Sequence, residues 1–219
     1  MKSLSISKKR QVLEIVAVIL TAIGKFVFMD YLHWRFAFVS VVIISWSIYI
    51  IYRHRKRTGI IKNWGFRTDN FKSVVRKILP LGAISVIVFV AIGFYQNTIN
   101  ITWHIIPILI LYPIWGIIQQ FLLIAITAGN MQDLKGQSLN KWSIILFSAF
   151  LFAAVHYPFV WLIVGIFVLA LFYGFIYLSE RNIYALGLFH GWLGGVFYYT
   201  VLNRDPFFEM FGKLFGLPK

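Results

Sequence analysis

The chain has 219 residues, no cysteine, a formal net charge of +14 and 60% hydrophobic residues. Its mean hydropathy of +0.79 lies far above that of a soluble globular domain. Disulfides, thiolate nucleophiles and cysteine metal sites are excluded. The positive charge sits in short segments between apolar runs, which fits anionic lipid headgroups as partners and argues against nucleic acid.

A membrane span needs about 20 apolar residues. Seven runs qualify as candidates: 12–28, 36–52, 78–95, 103–127, 142–157, 160–178 and 183–202. All are expected to be helical, because lipid offers no partner to an open backbone. The fold class is therefore all-α, a polytopic membrane protein of about seven helices. The first ten residues carry Lys2, Lys8, Lys9 and Arg10 with no small-residue cleavage site after them, and read as a retained anchor. The fifth run ends at Tyr157-Pro158 and is short.

Lysines and arginines crowd 53–77, and with the N-terminal cluster they place both segments in the cytoplasm. Segment 96–102 then lies outside and 129–141 inside, and seven crossings put the C-terminus outside. Segment 58–77 mixes Trp64, Phe66, Phe71 and Val74 with bases, and the tail from Pro206 spaces Phe207, Phe211 and Leu214 helically. Both fit amphipathic helices lying on the membrane. The expected organisation is N-terminal helices over 1–100 with a basic loop 53–77, a core over 101–203, and an interfacial tail over 204–219.

Polar groups deep in spans carry the functional signal. Gln119 and Gln120 interrupt the fourth run, His156 ends the fifth, and His190 sits in the first half of the seventh. At about 1.5 Å per residue, all four fall within roughly 10 Å of mid-membrane depth. Each has a bland reading too. Glutamines bond neighbouring helices, and a histidine at a span end or beside glycines is at home at an interface or in a core. Gly187, Gly191 and Gly195, four apart, form a small-residue stripe beside His190 that suits close helix packing. Pro107 and Pro113 are expected to interrupt the helix before the glutamines. Glu14 and Lys25, near the ends of the first span, are read as snorkelling, and His33, His54 and His104 receive no role.

The order of these elements resembles the CPBP family of intramembrane proteases, also called the ABI or CAAX-protease domain. It includes the Ras-converting CAAX endopeptidase and bacteriocin self-immunity proteins. The family pattern is Glu-Glu-x-x-x-Arg, then Phe-x-x-x-His, then His-x-x-x-Asn/Asp. Here Gln119, Gln120 and Ile124 align with the first motif. Phe152 and His156 match the second, and His190 and Gly194 align with the third. The resemblance covers roughly 105–199 and points to a branch with Gln-Gln for Glu-Glu.

The resemblance implies an intramembrane endopeptidase homologue acting on a membrane-associated peptide or protein, with Gln119, Gln120, His156 and His190 as site residues. The location it implies is a bacterial plasma membrane. An amide cannot take a proton from water, so His156 is the one base among the matched residues. Loss of the glutamates leaves a second reading open, a non-catalytic pseudoprotease serving as scaffold or immunity-type binding protein. Of the seven acidic residues, Glu180 is the nearest outside substitute, roughly 10–15 Å along the axis from His190. A catalytic zinc site takes about three protein ligands, so two histidines and amides fall short. No cofactor is expected, and a metal shared by His156 and His190 is the only metal arrangement left open.

Overall fold

The computed structural model describes residues 6–134 and 139–216. Lys2 of the N-terminal cluster, the centre of the 129–141 loop and the last three residues of the tail lie outside them. Within the described residues every regular element is helical: α1 (Lys8–Gly24), α2 (Arg35–Lys56), α3 (Ile60–Asn63), α4 (Phe71–Gln96), α5 (Ile105–Gln120), α6 (Thr127–Asp133), α7 (Lys141–Ala154), α8 (Val160–Glu180), α9 (Ile183–Thr200) and α10 (Pro206–Phe215). Two π-helical stretches interrupt the series, Lys25–Tyr31 after α1 and Phe121–Ile126 after α5.

Five helical stretches are long and apolar enough to cross a membrane: Lys8–Tyr31, Arg35–Lys56, Phe71–Gln96, Ile105–Asp133 and Val160–Glu180. The all-α polytopic expectation holds. The other two expected spans are helices of a different kind. Helix α7 has 14 residues and stops at Ala154, before Tyr157-Pro158. Helix α9 has 18 residues but is diluted by glycine and by His190. Most of α9 is covered by α5 and α4 rather than by lipid, so it does not depend on apolar side chains all round.

Helix α5 packs along α9 more extensively than any other pair of helices. The glycine stripe explains the approach. A Cβ on Gly187 would lie 2.5 Å from the Ile117 Cα, and one on Gly191 would lie 2.5 Å from the Pro113 nitrogen. Pro113 therefore does not interrupt α5. It is buried inside a continuous helix, where its missing N–H and the bare Gly191 let the two backbones meet. The departure from α-helical winding comes after the glutamines, as the π-helical stretch Phe121–Ile126, in which every residue is buried.

Segment 58–77 is not one interfacial helix. Gly59 and Gly65, with φ of 81° and 91°, break it into α3, a turn and the start of α4. Ile60, Trp64 and Val74 are fully buried beneath the bundle. The Gly65 turn is wedged against the backbone of Arg181. Its carbonyl accepts from the Ile183 N–H at 2.9 Å, which fixes where α9 begins. Helix α10 packs on α2 and α5, with Phe211 against Phe36.

Glu14 and Lys25 do not snorkel. Glu14 is 3% exposed and is ion-paired with Arg53 of α2, which is 2% exposed. Its other oxygen accepts from Asn130 Nδ2 at 2.7 Å. Lys25 turns inward at the end of α1 and pairs with Asp30 at 2.6 Å.

Candidate functional site: a cavity lined by Gln119 and His156

Gln119 sits in the last turn of α5, opposite His190 in α9. His190 Nε2 lies 3.2 Å from Gln119 Oε1. An amide oxygen only accepts, so His190 donates through Nε2. That orientation turns the Gln119 NH2 away from His190. His190 Nδ1 is buried and has no partner among the described residues.

His156 lies just past α7, in the turn that reverses the chain into α8. Its Nδ1 is 2.8 Å from the Phe152 carbonyl oxygen, one helical turn back. The carbonyl fixes the tautomer, with the proton on Nδ1 and the lone pair on Nε2. Phe152 is 1% exposed and packs against both histidines. Its ring centre is 5.6 Å from that of His156 and 5.0 Å from that of His190, and the two imidazoles are 6.4 Å apart.

Gln119 and His156 line one cavity of about 150 Å³. Tyr112, Trp115, Leu122 and Leu123 form its wall along α5 and the π-helical stretch after it, and Lys25 and Asp30 from the π-helical stretch after α1, with Arg35 of α2, bring charge to it. A second, more apolar cavity of about 260 Å³ lies between α4, α8 and α9 and is lined by His190 and Gly194. His190 thus faces the second cavity while its Nε2 reaches Gln119 of the first. A side chain at Gly194 would meet no atom within 4 Å. The position aligned with the third-motif Asn/Asp is therefore open space.

Three of the four expected residues come together: Gln119, His156 and His190. Gln120 does not join them. It is fully buried, lines neither cavity, and both its amide atoms lack a partner among the described residues. Adjacent positions on a helix point about 100° apart, so only one glutamine of the pair faces the cavity. Glu180 is not a substitute acid. Its carboxylate is tied to Lys77 and accepts from Ser73 Oγ at 3.3 Å, away from both cavities. The carboxylate that lines the cavity is Asp30, which the hydropathy pattern gave no reason to single out because it follows the first apolar run.

No group of three or more His, Asp or Glu side chains among the described residues is placed to hold a metal ion. His156 and His190 with an amide make a poor donor set for one.

Residues 102–195 match the family described as type II CAAX prenyl endopeptidase, Rce1-like. This segment is similar to the CAAX-protease domains of the CPBP family. It runs from just before α5 to within α9 and contains all four motif residues. It leaves α1 to α4 and α10 unmatched. Comparisons with curated proteins and with solved structures give no match. Together with five apolar helices of spanning length, the CAAX-protease match makes the chain an integral membrane protein.

Proposed function

We propose that the chain is an intramembrane endopeptidase that hydrolyses a peptide bond of a membrane-associated peptide or protein. The observation that carries this reading is that His156, with its Nδ1 held by a carbonyl, and Gln119, with its amide oriented by His190, line one cavity.

In the reaction, water oxygen attacks the scissile carbonyl carbon and its proton passes to His156 Nε2. Negative charge develops on the carbonyl oxygen. The NH2 of Gln119, oriented by His190, donates to it, a contribution worth about 2.7–4 kcal/mol in comparable oxyanion sites. The C–N bond then breaks, and His156 returns the proton to the leaving amine nitrogen. The two charged forms that the mechanism needs are transient, which suits a site without a carboxylate on α5.

Residues 101–203 serve as the catalytic core in this account, 1–100 as its N-terminal helices and 204–219 as an interfacial tail. The lysines and arginines of the N-terminus and of 53–77 face the cytoplasm and meet anionic headgroups of a bacterial plasma membrane.

The replacement of both family glutamates and the empty space at Gly194 favour a second reading, a pseudoprotease that binds its partner in the same cavity without cleaving it. The test compares N-terminal peptides of membrane and secreted proteins from cells carrying wild type or His156→Ala at matched protein levels. Termini present with wild type and missing with His156→Ala support hydrolysis. Identical profiles with both proteins inserted support the pseudoprotease.

A further inference from the structure

The cavity holds a carboxylate from outside the matched segment. Lys25 and Asp30 are five residues apart on the π-helical stretch Lys25–Tyr31, and π-winding stacks them on one face. The ammonium lies 2.6 Å from Asp30 Oδ2. It also donates to the Tyr157 carbonyl at 2.9 Å, the residue directly after His156. The end of the first span is thereby pinned to the turn that carries the base. Asp30 lines the same cavity as Gln119 and His156, and is the one carboxylate among the described residues that does.

We propose that Asp30 is a further catalytic residue, standing in for the carboxylate that α5 lacks; this rests on the hydrolytic reading above. The attacking water has two O–H bonds. One is directed at His156 Nε2, which takes that proton and later gives it to the amine as the C–N bond breaks. The other is accepted by the Asp30 carboxylate. This holds the water oxygen toward the scissile carbon and provides a negative charge while His156 is an imidazolium. The second proton stays on the new carboxyl group and is lost to solvent on product release, so the reaction balances without a co-reactant. Lys25 is the positioning residue. It spends one N–H on Asp30 and one on the Tyr157 carbonyl, and so sets the spacing between the acid and the His156 turn.

A merely structural reading of Asp30 is that it neutralises Lys25, sparing the base an unpaired ammonium nearby. The two readings separate in cells scored by the N-terminal peptide profile, with each variant's abundance and thermal stability in detergent measured alongside. Asp30→Asn is expected to reduce wild-type-dependent termini by about 10²-fold, within the range for a lost acid–base partner. Asp30→Glu is expected to keep most of them. The double variant Lys25→Met/Asp30→Asn is expected to stay low. Full activity in Asp30→Asn, or recovery in the double variant, overturns the proposal and leaves the hydrolytic reading intact. Absence of wild-type-dependent termini overturns both.

Discussion

Gln119 Oε1 accepts from His190 Nε2 at 3.2 Å, and this bond joins the two helices that carry the first and third motifs. It also decides the chemistry of the position, because an amide held by its oxygen offers its NH2 to the cavity. A glutamate at 119 would accept the same hydrogen bond but would lack the NH2 that faces the developing oxyanion. Gln119→Glu is expected to lower cleavage by about 10²-fold or more, the cost of losing one oxyanion donor. Gln119→Leu is expected to lose it. Rates of appearance of the wild-type-dependent termini check both.

The helix packing behind that bond is less tolerant than the bond itself. Gly187 and Gly191 have no room for a methyl group, since each Cβ would press on the α5 backbone. Gly187→Ala and Gly191→Ala are expected to push α9 from α5 and cost about 1–3 kcal/mol through overpacking. They should also part His190 from Gln119. Gly194→Ala, facing open space, is expected to be nearly neutral for stability. Thermal unfolding in detergent of the three variants, run side by side, tests the contrast.

The ion pair of Glu14 with Arg53 clamps α1 to α2, and Asn130 extends it to α6. Tyr49 OH donates to Glu14 as well, and the Arg53 guanidinium stacks over the Tyr49 and Trp64 rings. Removing one charge strands the other in the interior. Arg53→Met alone is expected to destabilise by about 3–5 kcal/mol, and the pair Glu14→Gln/Arg53→Met by clearly less. Unfolding of the single and double variants measures the difference. Equal losses would contradict a buried, coupled pair.

Asp205 caps α10, with Oδ1 accepting from the N–H groups of Phe207 and Phe208 at 3.0 and 3.1 Å. Burial pushes its carboxyl up, but hydrogen bonds from His104, from the Phe208 N–H and from Tyr199 outweigh burial and hold it below its ordinary value of 3.8. A depressed value in the folded state means that this stabilisation is present above pH 3.8 and is lost as pH falls through the lower folded value. Asp205→Asn is expected to remove that pH dependence and weaken the cap by about 1 kcal/mol or less. Protease cleavage near α10, followed against pH, reports it.

The membrane class was legible from hydropathy, because a long apolar helix announces itself in one dimension. The matched segment was legible from motif order, with Phe152, His156 and His190 in register. What was not legible depends on where separate elements meet. Composition alone cannot tell Gln119 from Gln120, since they are neighbours and only the rotation of α5 against α9 distinguishes them. Lys25 looked like an end-of-span charge because one of its partners, the Tyr157 carbonyl on the α7–α8 turn, is 132 residues away. Helix α9 fell short on hydropathy for the opposite reason: protein covers it, so it needs little lipid-facing surface.

The absence of native cysteine allows the central claim, that Gln119 and His190 meet inside the membrane beside the His156 cavity, to be tested directly. The measurement is intramolecular cross-linking of Gln119→Cys/His190→Cys in membranes with a short bifunctional thiol reagent. Ile114→Cys/His190→Cys is the control, because Ile114 lies on the exposed face of the same helix at 52% exposure. The account predicts efficient cross-linking of 119 with 190 and little of 114 with 190. Equal or reversed efficiencies would mean that α5 presents another face to α9, and the site built on that contact would not exist.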